Sequence, residues 1–157
     1  MKTLRNSMIS LFLFAVAGVA LAEERNVVFD LRSGDPGRME ARLVGDIKYM
    51  ADYYKSKGMD FNAVVVISGR AFKYFIDDLE NSPYREEEGI AELQEKFRPL
   101  FQELNDDYGV VFEMCEVGMR DRNIEAESVY SYVNTDKLQA VYLIDWQMKG
   151  YAYIPVN

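Results

Sequence analysis

The stretch "FNAVVVIS", residues 61 to 68, is a β-branched run closed by Ser68 and Gly69, and it reads as a buried strand. What lies on either side of it turns one strand into a fold. Upstream, "NVVFDL" (26 to 31) is a second strand-like apolar run, and "RSGDPG" after it carries Ser, Gly, Asp and Pro in helix-starting order. A long helix then follows, because Met39, Leu43, Ile47, Met50 and Tyr54 recur at spacings of four, four, three and four and share one face. Gly58 is placed to stop it.

Downstream the alternation continues. Phe72, Phe75, Ile76 and Leu79 mark a short helix, and "ENSPYREEEG" (80 to 89) is an exposed, acid-rich loop. From Gly89 to Tyr108, Ile90, Leu93, Phe97, Leu100 and Leu104 keep helical spacing, with Pro99 expected to kink that helix or split it. "VVFEMC" (110 to 115) is strand-like, "RDRNIEAESV" can form one or two helical turns, and "YSYV" can form a short strand. The stretch "LQAVYLIDWQMKGYAYIPV" reads as a helix and then a strand. Asn134, Thr135 or Asp136 would cap the helix, Leu138, Val141, Tyr142 and Met148 would face inward, and Gly150 would end it. Strands and helices taking turns predict an α/β chain: one three-layer domain whose parallel sheet carries helices on both faces.

The first 22 residues stand apart. Lys2 and Arg5 precede the uncharged run "MISLFLFAVAGVA", and "ALA" ending at Ala22 has the form of a small-residue cleavage site. The run is short for a membrane span. The expectation is a signal peptide over 1–22, a mature domain over 23–157 beginning at Glu23, and a periplasmic or secreted bacterial protein. Cleavage would remove Lys2 and Arg5 and no acid, so 18 basic against 26 acidic residues would become 16 against 26. That balance argues against nucleic acid or anionic lipid as partner, and a cleaved chain would not be membrane-embedded.

Histidine is absent. Ser-His, Cys-His and His-metal arrangements are therefore excluded, and carboxylates, tyrosines, lysines, arginines and one thiol remain for any chemistry. The acids of "REEEG" and "NDDYG" lack the spacing of a calcium loop and read as solvated charge, so no metal or other cofactor is expected. The tyrosines of "VYSYV" and "GYAYI" alternate as strand residues do, and suit packing against helices or a neighbouring subunit.

The single cysteine, Cys115, lies in "VVFEMCEVGMRDRNI" (110 to 124). A lone thiol cannot bridge within its own chain, so it is packing, an intermolecular link, or chemistry. Its neighbours carry both charges: Arg120 and Arg122 favour a thiolate, while Glu113 and Glu116 oppose one. In open α/β sheets, ligands sit beyond the carboxyl ends of strands, where strand order reverses. Cys115, Ser33 and Gly34, and Ser68 and Gly69 all fall at such ends. They could line one crevice, with Ser33, Gly34, Ser68 and Gly69 presenting backbone N–H groups to a small anion.

Three stretches, "VVFDLRSGDPGRMEARLVGDIKYM", "VFEMCEVGMRDRNI" and "MKGYAYIPVN", together resemble the DsrE/DsrF-like family of sulfur-relay proteins, and the likeness runs along nearly all of the mature chain. Cys115 falls on that family's reactive cysteine and Arg122 on the arginine of its C-x6-R-G pattern. Asn123 stands where Gly is usual, a mild departure because Asn tolerates positive φ. The resemblance implies a five-stranded parallel α/β fold, a homo-oligomer, and a sulfur carrier or sulfurtransferase-like protein. In that reading Cys115 holds sulfane sulfur as a persulfide, Arg122 stabilises charge, and a donor or acceptor protein is the partner. The alternative is a non-catalytic module that binds a small anion or another protein, with Cys115 only packing.

Overall fold

The computed structural model describes residues 23–157; the segment read as an export signal, residues 1 to 22, lies outside them. Five strands form one sheet: β1 (Glu24–Leu31), β2 (Asp60–Ile67), β3 (Val111–Met114), β4 (Val133–Asn134) and β5 (Ala152–Val156), in the order β4-β3-β2-β1-β5. Every neighbouring pair is parallel. The run at 61 to 68 occupies the central strand β2, where Val64 to Ile67 are 0 or 1 % exposed. A strand with neighbours on both sides and helices above and below has no wet face, hence its unbroken apolar character.

The helices divide unequally between the two faces. On one, Phe29, Leu31, Val65, Ile67, Phe112 and Met114 meet the segment after β1 and the helix α3 (Ile90–Asp106). On the other, Val28, Val64 and Val66 meet only α5 (Gln139–Met148), through Tyr142 and Leu143. Met119, Ile124 and Tyr130, from the connection between β3 and β4, belong to the first core. The chain thus leaves β3 toward one face and β4 toward the other, and strand order reverses there.

The segment after β1 is less uniform than its spacing predicts. It comprises α1 (Pro36–Arg38), a π-helical stretch (Met39–Gly45) and α2 (Asp46–Lys55). Asp35 caps its start by accepting from the Arg38 N–H at 2.8 Å, with Pro36 at the first helical position. Met39, Leu43 and Ile47 are all 0 % exposed. Two successive spacings of four overshoot a full α-turn by about 40° each; the wider π turns take up that drift and keep the three side chains over the sheet.

Five expectations change in detail. Pro99 neither splits nor ends α3, which runs unbroken over 17 residues with the proline on its exposed side. Only Tyr142 among the four residues expected inward on α5 is buried: Leu138, Val141 and Met148 are 43, 40 and 82 % exposed, and Leu143 lies inward instead. Nor does a side chain cap α5, whose N-cap is Leu138. The Tyr142 hydroxyl donates to the Asp136 carboxylate, and the hydroxyl oxygen accepts from the Asp136 and Lys137 N–H groups. The short helix at Phe72 is a single 3-10 turn (Phe72–Phe75), and the expected strand at 130 to 133 is replaced by the two-residue β4, which keeps only Val133 of that stretch and adds Asn134.

Candidate functional site

Cys115 follows β3 directly and is the N-cap of α4 (Glu116–Arg120), so the short helix begins immediately after the thiol rather than near Met119. Its N–H donates to the Ile67 carbonyl at 3.1 Å, which carries the β2–β3 ladder one step past the named strands. Ser68 is thereby brought alongside Cys115. The sulfur accepts from the Gly118 N–H at 3.5 Å, and the residue is 6 % exposed. A thiol at the rim of the core, on the last rung of a strand, is held in position by backbone rather than by other side chains.

Arg122 reaches the thiol indirectly. Its Nη1 donates to the Gly118 carbonyl at 2.9 Å, and its guanidinium lies 4.8 Å from the centre of the Phe72 ring. Gly118 is the hinge of this group: a Cβ there would stand 2.5 Å from Phe72 Cζ, so only glycine admits the ring. The turn after Arg122 needs a left-handed residue, and Asn123 supplies it at φ 54°, alone among the described non-glycine residues.

The loops after β1 and β2 end beside this group, but much of their bonding capacity is engaged. The Ser33 hydroxyl accepts from the Asp35 N–H at 3.2 Å, and the Gly34 carbonyl accepts from the Tyr74 hydroxyl at 2.7 Å. The two glycines let the loops touch. A Cβ on Gly34 would lie 2.8 Å from Arg70 Cβ, and one on Gly69, at φ +62°, would lie 3.0 Å from the Arg32 carbonyl oxygen. Ser68 differs: its hydroxyl is buried without a hydrogen-bond partner. The fold therefore gathers Ser33, Gly34, Ser68, Gly69, Cys115 and Arg122 at one end of the sheet.

Side chains that the sequence did not single out complete the surroundings. Gly69, Arg70, Lys73, Tyr84, Glu87 and Arg122 line an open depression of about 280 Å³. Lys73 pairs with Glu87, and burial pushes the Tyr84 phenol up against the opposing influence of the Arg122 charge beside it. Arg70 directly follows Gly69, but Tyr84 comes from a loop whose acids dominate its reading, and no periodicity ties it to the strand ends. A larger concavity, about 480 Å³, lies by Asp60 and Phe61 at the amino end of β2, among Asp52, Glu103 and Asp107. It is remote from the thiol and from every strand carboxyl end, so size does not select the site here.

Two carboxylates on the second face hold partners that the sequence did not reveal, although Glu113 stands there as a charge beside the thiol. Asp30, 0 % exposed, accepts from Arg32 Nε at 2.9 and 3.1 Å, from Gln139 Nε2 at 2.5 Å and from the Tyr153 hydroxyl at 2.7 Å. It ties β1, α5 and β5 together. Glu113 accepts from the Trp146 indole N–H at 2.6 Å; burial pushes its carboxyl above the usual range, while the indole and the Lys137 charge pull it back. Among the described residues no group of three or more potential metal ligands is present, and no helix is long and apolar enough to cross a membrane.

The model of the DsrE/DsrF-like family matches residues 26–156 of the chain. The protein belongs to the DsrE/DsrF-like family. That membership agrees with the parallel five-stranded sheet. A protein of unknown function from Methanobacterium thermoautotrophicum has a solved structure similar to this DsrE/DsrF-like chain, with a TM-score of 0.64 at 17% identity, over 85% of this chain and 98% of that one. The likeness is one of fold. None of the curated protein sequences compared matches the chain.

Proposed function

We propose that this DsrE/DsrF-like protein is a sulfur carrier, sulfurtransferase-like in its chemistry, with Cys115 as the carrier atom's seat. The Cys115 thiolate attacks the outer sulfur of a sulfane donor and forms a new S–S bond; the donor's own S–S bond breaks and its remainder leaves with the electron pair. An acceptor thiolate then attacks the outer sulfur of the persulfide and releases Cys115 as thiolate, so no external oxidant or reductant is consumed. The observation that carries this reading is the position of the one cysteine in a DsrE/DsrF-like chain: the last rung of β3, beside the reversal of strand order, with Arg122 joined to it through Gly118.

Burial of the thiol favours a second reading, in which Cys115 packs and the strand ends bind a small anion or a protein without catalysis. Intact mass separates the two. A carrier gains one sulfur mass on exposure to a sulfane donor, and Cys115→Ser abolishes the gain while the fold persists. A packing cysteine takes up no sulfur, resists thiol reagents until the protein unfolds, and tolerates Cys115→Ala at a cost of about 1 kcal/mol or somewhat more. The carrier reading also holds that the chain is exported and cleaved to begin at Glu23, and works as a homo-oligomer with donor and acceptor proteins. A mature protein retaining Met1 would refute the cleavage.

A further inference from the structure

The depression beside Cys115 has a charge out of keeping with the chain. Arg70, Lys73 and Arg122 face it against one acid, Glu87, in a protein whose formal net charge is −8. Glu87 is already paired with Lys73. Neither Arg70 nor Arg122 has a carboxylate partner among the described residues, although the chain holds 26 acids. Arg70 keeps its donor fork for another anion, and Arg122, which gives Nη1 to the Gly118 carbonyl, keeps a charge that no carboxylate neutralises.

The position of the depression links it to the thiol. Arg122 Nη1 and Cys115 Sγ are bonded to the carbonyl and the N–H of the same residue, Gly118. Gly69, on its floor, follows Ser68, whose buried hydroxyl has no partner. A second depression, past Gly34, shares Arg70 and Lys73. Arg70 itself is exposed and lines both.

We propose that this depression is the seat for the oxyanion end of the sulfur donor, which makes the donor a small sulfane-sulfur dianion of the thiosulfate class. The inference rests on the carrier reading for its chemistry, though not for its binding. Cys115 is 6 % exposed and does not line the depression, so loading requires that the outer sulfur of a donor held by Arg70, Lys73 and Arg122 reach the thiol beyond Arg122 and Gly118. The thiolate attacks that sulfur, the donor S–S bond breaks, and sulfite leaves with the bonding pair: thiolate plus thiosulfate gives persulfide plus sulfite, with charge and sulfur conserved.

The test has a binding arm and a loading arm. In the first, thiosulfate is titrated calorimetrically into Cys115→Ser protein, which cannot react. Binding is expected, with competition by sulfate, weakening as sodium chloride rises, and a loss of about tenfold or more in affinity when Arg70→Gln is added. Absence of binding, or binding unchanged by Arg70→Gln, overturns the oxyanion seat. In the second arm, sulfur uptake from thiosulfate by intact mass is divided by the rate of alkylation with iodoacetamide, an uncharged reagent that needs no anion seat. Arg70→Gln is expected to lower that ratio about tenfold. An unchanged ratio overturns the seat while leaving the carrier reading in place. Thiosulfate that binds the Ser variant but never loads the wild type overturns the donor assignment; a polysulfide that then loads Cys115 leaves the carrier reading in place, and one that does not overturns it as well.

Discussion

Gly118 governs the thiol's surroundings more tightly than any charged neighbour. It donates to the sulfur through its N–H, accepts from Arg122 through its carbonyl, and admits the Phe72 ring where a methyl group would collide. Gly118→Ala must displace a ring that is 1 % exposed, an overpacking change of about 1–3 kcal/mol. The expected result is a lower urea midpoint together with altered thiol reactivity, and unchanged values of both would show that the ring yields freely. Asn123 was legible in advance, since a position where glycine is usual in the family calls for a residue that accepts positive φ, and its φ is 54°. Gly118 was not, because nothing in "CEVGMR" announces that an aromatic side chain from a distant 3-10 turn will lie on it.

Among the elements, α5 shows how a correct helix can face the wrong way. Its existence and its end before β5 followed from spacing and Gly150, but its rotation is set by partners on the sheet. Trp146 reaches Glu113 on β3, and Gln139 reaches Asp30 on β1, two buried carboxylates 33 and 109 positions away from their donors. Those bonds turn Tyr142 and Leu143 inward and leave Leu138 and Met148 outside. Burial is the largest influence on Glu113 and raises its folded-state titration above the unfolded value. Between those two values the folded state holds more protons than the unfolded one, so this group's contribution to stability is full at low pH and is lost as pH rises through the folded value. Glu113→Gln keeps an acceptor for the indole and removes the titration. Measured by urea unfolding, the stability of the Gln variant relative to wild type is expected to increase with pH across that window, and a constant difference would show that the carboxyl is not perturbed.

At the scale of the whole molecule the layers are unbalanced. One face of the sheet is covered by the π-helical stretch after α1, by α2, α3 and the β3–β4 connection, and the other, among the described residues, by α5 alone. The outer side of α5 carries Val141, Ile144 and Met148, at 40, 58 and 82 % exposed, and Tyr153 on β5 adds 43 %. A half-covered sheet with an apolar helix outside it suits a homo-oligomer whose contact runs over α5. Ile144→Glu, at a site too exposed to affect the core, is expected to shift sedimentation to the monomer with the thermal midpoint of the subunit preserved. A wild type that sediments as a monomer at every concentration would dispose of this assembly.

The order of strands and helices, the buried central strand, and the arrival of Ser33, Gly34, Ser68, Gly69 and Cys115 at strand carboxyl ends were all determined by the sequence alone. They depend on hydrophobic period, β-branching and turn residues, which act over a few positions at a time. The unbroken helix through Pro99, the π turns at Met39–Gly45 and the inward face of α5 were decided only in the tertiary structure. So was the meeting of Arg70, Lys73, Tyr84 and Arg122 around one depression. Each of these depends on what lies opposite in space, and packing against a sheet outweighs the fractions of a kcal/mol by which local propensity favours one rotation or turn type over another.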